Sequence, residues 1–281
     1  MAREKMTFEV KKAQSKVWEL IRKTIQNDKV GSAYLFAGPS GVGKEAMAIE
    51  FGAEINKNYF REDANLAEEN YNRFKSLQHE MLKMVFPLPT GVSKKDSVNP
   101  LDSLNEADIQ LIKELIEKKV NNPFHILAVP GATKILINSV RELRKTLYLK
   151  SNDVGRKIVL IFEAHLLNTG QAESANALLK ILEEPPQNTT IILITDNKNQ
   201  LLPTILSRCQ HIDFPPLPNN IIAEHLEQNG IDSNSSEIIS GIAHGDMHKA
   251  LALSNEPIDE LINRIMELSE CIIDENGADW R

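Results

Sequence analysis

Gly38, Gly43 and Lys44 stand at the spacing G-x-x-x-x-G-K, with another glycine, Gly41, between them in the stretch GPSGVGKE. In a loop of this kind backbone amides cradle phosphate oxygens and the lysine neutralises them, while a Ser or Thr hydroxyl directly after the lysine holds magnesium. Here that position is Glu45, a carboxylate placed where phosphate charge would collect. A second stretch, KIVLIFEAHLL, starts at Lys157. In magnesium-dependent phosphoryl transfer such an apolar run ends in two acids, one organising the metal and the next orienting the attacking water. This chain has Phe162 and then Glu163. Each departure has a bland account: a tight strand-to-helix turn without a ligand, or a core strand ended by a solvated acid. Together they remove two groups from one metal site, which argues against metal-assisted hydrolysis by this chain.

The surroundings of the glycine loop are those a phosphate loop requires. AYLFA, Ala33 to Ala37, reads as a short buried strand, and EAMAIEFGAEIN after the loop is rich in helix formers, so helix N-terminal amides point at the loop. Further strands are predicted at KIVLI (157–161), TIILI (190–194) and QHIDF (210–214). Helical patterns lie between and before them: Val17, Leu20, Ile21 and Ile25 recur at helical spacing, and Leu136, Val140, Leu143 and Leu147 form one face. Short buried strands alternating with helices imply an α/β core built on a parallel sheet. The region of about 59–127 reads as an irregular insertion. It holds the exposed stretch PLPTGVSKKDSVNP and the charged helix EADIQLIKELIEKKV. After FPPLP, Phe214 to Pro218, strand signals stop and short helices follow, so the prolines mark a domain boundary.

Composition narrows the classes. A chain of 281 residues, 42% hydrophobic, supports one sizeable core and a smaller satellite. A net charge of -7 argues against a protein that grips nucleic acid by itself, because phosphate binding needs clustered Lys and Arg. The two cysteines, Cys209 and Cys271, are too few for a disulfide framework or a four-cysteine zinc site. No apolar run is long enough to span a bilayer and the N-terminus lacks a signal-like segment, so a cytoplasmic location is expected.

Two further stretches carry a family resemblance. SANALLKILEEPP, Ser174 to Pro186, is on physical grounds a helix closed by prolines, yet it is nearly identical to the N-A-L-L-K-x-L-E-E-P-P signature of bacterial DNA polymerase clamp-loader subunits. LLPTILSRC ends in Ser207-Arg208-Cys209, which resembles the S-R-C motif of that family, and GSAYLFAGPSGVGKEAMA is similar to its Walker A region. The resemblance runs from about Val10 to about Leu253 and is weakest between Tyr59 and Leu127.

It implies an AAA+ P-loop core over 1–214, a small all-α lid over 215–255, and over 256–281 the start of a helical collar cut short. It also implies roles. Gly38, Gly41, Gly43 and Lys44 would form a degenerate P-loop with weak or no binding of ATP or ADP, and Glu163 and Thr195 would be vestigial Walker B and sensor residues. Arg208 would act in trans as an arginine finger on a neighbour's nucleotide. Hydrolysing members carry Thr after the P-loop lysine, an Asp-Glu pair at Walker B and an arginine in the lid, where this chain has Glu45, Phe162-Glu163 and His248. The pattern resembles the non-hydrolysing delta-prime type, the stator. The competing reading is an active gamma/tau-type ATPase. The partners implied are gamma/tau and delta subunits in a hetero-oligomeric ring, with the sliding clamp and primed DNA reached through the complex. Neither a membrane nor a metal is expected, and zinc is not, because the segment that follows the first helix after the glycine loop is free of cysteine.

Overall fold

Apolar runs with almost no polar interruption form the middle of the sheet. The computed structural model describes residues 8–90, 100–149 and 154–256. Two helices, α1 (Val10–Ala13) and α2 (Ser15–Gln26), lead into β1 (Ala33–Ala37), the glycine loop and α3 (Lys44–Tyr59). The chain continues through α4 (Ala64–Lys75), β2 (Leu82–Val85), α5 (Glu106–Asn121), α6 (Ile137–Tyr148) and β3 (Lys157–Ile161). Next come α7 (Glu173–Glu183), β4 (Thr189–Thr195), α8 (Pro203–Leu206) and β5 (Gln210–Asp213). The five strands make one sheet in the order β2-β3-β4-β1-β5, with every pairing parallel.

Period-two alternation divides the strand residues between two layers. Tyr34, Phe36, Ile158, Leu160, Ile192 and Ile194 join a core with α2 and α3, through Ile21, Met47 and Phe51. Leu35, Val159, Ile161, Ile191 and Leu193 face the other way, onto Val140 and Leu143 of α6 and Leu178 of α7. Both faces of β1, β3 and β4 are therefore covered, as a sheet with crossover helices requires. Arg156 ties the lower ends of the strands together, donating from Nε to Thr190 Oγ1 at 2.7 Å and from Nη2 to Val30 O at 3.0 Å.

Sequence and structure differ at several points: β5 ends at Asp213, one residue before the predicted end, and Leu136 precedes α6 and packs on the other core layer from Val140, Leu143 and Leu147. Leu20 is 53% exposed, whereas Val17, Ile21 and Ile25 are buried. At 100° per residue the three buried positions span an arc of about 80° and Leu20 falls about 60° outside it. Region 59–127 is also more regular than its composition suggests, since beside the expected charged helix, α5, it contributes α4 and the edge strand β2. Here the Asp63 side chain caps α4 at the Asn65 and Leu66 amides. His79, buried, stacks on Phe74 at 4.2 Å and bridges Asn70 and the Met81 amide just before β2. Finally, β4 runs from Thr189 to Thr195, a residue beyond the predicted strand at each end. Most of the stretch read as an exposed loop, 91–99, lies outside the described residues.

The chain divides into two units at Pro215 and Pro216. Within the second, α9 (Asn219–Gln228), α10 (Ser233–Ala243) and α11 (Met247–Leu253) are all helical, and Asp232 and Asp246 cap the last two. The start of this unit is pinned by Leu217 N–H donating to Gly245 O at 3.1 Å; a Cβ on Gly245 would come within 2.4 Å of Pro216. Residues 257–281, with Cys271 and the expected collar segment, lie outside the described residues.

Candidate functional site

Parallel register places several predicted site residues along one sheet edge. Ala37 lies opposite Thr195 on one side and Asp213 on the other, so the glycine loop emerges beside the ends of β4 and β5. The loop then passes tight against the chain leaving β5, because a Cβ on Gly38 would sit 2.4 Å from Phe214 O. Phe214 N–H donates to Ala37 O at 2.7 Å, and Gly41 and Gly43 adopt φ of 67° and 87°, the left-handed region that favours glycine. Gln14, buried, clamps the far side, donating from Nε2 to Val42 O at 3.0 Å and Pro215 O at 2.9 Å.

This loop supplies its own ligands. Lys44 is 5% exposed and turns back on the loop, its Nζ donating to Gly38 O at 2.9 Å and Pro39 O at 2.5 Å and pairing with Asp196 Oδ1 at 2.6 Å. Glu45, the next residue, is paired with Lys119 Nζ of α5. Phe162 is 1% exposed and belongs to the same core layer as Ile158 and Leu160, because it continues their face of β3. Glu163 follows in the left-handed region at φ 48°. Its carboxyl is pushed up to about 7, first by burial and then by the charges of Asp196 and Glu45, with Lys44 opposing. His165 Nδ1 lies 3.1 Å from Thr195 Oγ1 and 3.5 Å from Glu163 Oε2, and burial holds its imidazole below the usual range against the opposing charge of Asp196. Thr195 Oγ1 also accepts from Asn197 N–H at 3.0 Å.

Lys44, Glu45, Glu163 and Thr195 are thus brought to one edge. At this edge Glu45 pairs with the Lys119 ammonium, Lys44 pairs with Asp196, and Phe162 is buried immediately before Glu163. Among the described residues no group of three or more His, Cys, Asp or Glu side chains could hold a metal ion.

Arg208 belongs to a separate cluster. After the single turn of α8, its Nη1 donates to Thr204 O at 2.9 Å and its Nη2 pairs with Glu183 Oε1 at 2.8 Å; the side chain is 35% exposed. Glu183 ends α7 inside ILEEPP, so this pair joins the two signature stretches. The Cys209 thiol is pushed up to about 12 by burial, which makes it a packing group rather than a nucleophile. His248 lies in the second unit, where its backbone N–H donates to the Asp246 side chain at 2.8 Å.

A family model described as "DNA polymerase III, delta subunit" matches residues 13–218. This chain belongs to the DNA polymerase III clamp-loader subunit family. It is 27% identical to DNA polymerase III subunit delta' of Bacillus subtilis over 274 residues, covering 96% of this chain and 68% of that protein. It is 28% identical to DNA polymerase III subunit tau of the same organism over 251 residues, covering 85% of this chain and only 36% of that protein. Among solved structures, the RuvB Holliday junction branch migration motor of Thermotoga maritima overlays 92% of this chain and 64% of its own at TM-score 0.48 and 12% identity. The clamp-loader chain has a core of the AAA+ type, seen directly in its parallel sheet and glycine loop. Among the described residues no helix is long and apolar enough to cross a membrane.

Four participants in these clusters escape sequence reasoning. Gln14 is one polar residue in an amphipathic stretch, and Lys119 is the second of two adjacent lysines in the run EKK after Ile116. Asp196 and Glu183 carried a signal, since they adjoin Thr195 and stand within the quoted helix signature.

Proposed function

We propose that this chain is a non-hydrolysing subunit of delta-prime type, the stator of a clamp loader. In this reading it helps load a sliding clamp onto primed DNA, in a ring with gamma/tau and delta subunits in the cytoplasm. The observation that carries it is Phe162, sealed in the core where the metal-organising acid would stand. No rotamer of a buried phenylalanine supplies an oxygen, so the defect is chemical and cannot be repaired by movement. The greater share of delta' covered, 68% against 36% for tau, favours the same assignment.

The work of this chain then falls on Arg208. Its guanidinium would stabilise charge on a γ-phosphoryl group bound by a neighbouring subunit, which needs position and charge but no covalent chemistry. Glu183 and Thr204 O limit the freedom of that side chain before assembly. The test is ATP turnover by the purified chain, with and without primed DNA. Background-level turnover is expected, and turnover abolished by Lys44→Ala would instead favour a gamma/tau-type ATPase.

A further inference from the structure

Glu45 occupies the position whose side-chain oxygen holds magnesium in a hydrolysing P-loop. A cation does sit on that oxygen here, but it is the ammonium of Lys119. Lys119 is 2% exposed, and Glu45 is the hydrogen-bond partner of its side chain. A buried ammonium is tolerated only when paired, so Lys119 requires Glu45. Lys119 is also held in place, because Ile112 and Leu115 anchor α5 in the core that contains Met47 and Phe51 of α3. The helix delivering it lies where the family resemblance is weakest, 74 positions along the chain from Glu45.

We propose that Lys119 is a tethered substitute for the divalent cation, so that Glu45 and Lys119 form a resident charge pair that shuts magnesium out of the loop. The argument is one of occupancy and charge. Magnesium at a P-loop needs one protein oxygen plus phosphate oxygens and waters in octahedral array. A divalent cation on the Glu45 carboxylate would stand beside the buried Lys119 ammonium, which already neutralises that carboxylate and repels a second cation. The inference uses the same loop as the functional reading above but concerns the metal dependence of binding rather than turnover.

Calorimetric titration of the full chain with ADP, in magnesium and in EDTA, tests it. The unaltered protein should give the same result in both, whether that is weak binding or none. The double variant Glu45→Thr with Lys119→Met restores the hydroxyl and removes the ammonium, and magnesium should then tighten ADP binding on the order of tenfold. If the methionine version fails to fold, Glu45→Thr with Lys119→Gln keeps a polar group in the buried position and serves the same comparison. Magnesium-enhanced binding by the unaltered protein overturns the proposal, and so does a folded double variant indifferent to magnesium. Absent turnover with magnesium-enhanced ADP binding sinks this inference alone, whereas robust turnover sinks the functional reading.

Discussion

Lys44 and Asp196 meet at 2.6 Å beside the glycine loop, pairing the loop lysine with the residue after Thr195. The loop lysine is therefore a structural cation, satisfied by one carboxylate and two loop carbonyls.

Replacing Lys44 should accordingly cost stability. Lys44→Met leaves the Gly38 and Pro39 carbonyls without their donor and Asp196 without its partner, a loss of about 1–3 kcal/mol. Urea unfolding of the two proteins measures it. A midpoint unchanged within error would mean that the lysine is free for a ligand.

Single repair of the magnesium position should do harm. Glu45→Thr strands Lys119 in the core and should lower stability by about 3 kcal/mol, with no gain in ATP turnover because Phe162 remains. Adding Lys119→Met should recover most of the loss, so a double-mutant cycle will show strong coupling. Additive effects of the two changes would contradict the buried pair.

Arg208 should matter only in the assembled complex. Arg208→Ala is expected to lower turnover by the whole complex on the order of tenfold or more, and Arg208→Lys should not rescue it. In the isolated chain the same change removes a half-exposed pair with Glu183 and should cost about 0–1 kcal/mol. Sizing confirms assembly before rates are compared, and an unaltered rate in an intact ring would return Arg208 to a surface ion-pair role.

Glu163 makes stability depend on pH with a definite sign. Its folded-state value, raised to about 7 from 4.5, means that the folded chain keeps a proton the unfolded chain releases. Stability from this group is therefore complete below about 4.5 and declines as pH rises through 7. Glu163→Gln should raise Tm at pH 8, by a free energy of about 1–2 kcal/mol after allowing for solvent screening of a one-third exposed group, and should leave Tm at pH 4.5 nearly unchanged. Equal effects at both pH values would contradict a raised carboxyl.

Legibility varied with the kind of signal. The strands β1, β3 and β4 announce themselves as short apolar runs, whereas the edge strands are weaker signals: β2 has four residues, two of them half-buried, and β5 buries only Ile212. Glycine-loop residues were readable because left-handed φ and close approach restrict the residue type, as at Gly38, Gly41 and Gly43. Phe162 was readable as a departure because its face follows from strand alternation.

By itself the sequence determined the parallel α/β core, the glycine loop with Glu45 after its lysine, and family membership through ILEEPP and S-R-C, since each rests on residues close together in the chain. Only the tertiary structure decided what became of the charges left behind. That Glu45 takes Lys119, that Lys44 takes Asp196 and that Arg208 takes Glu183 depends on which charges of separate elements the packing brings within reach, and local periodicity carries no record of that choice.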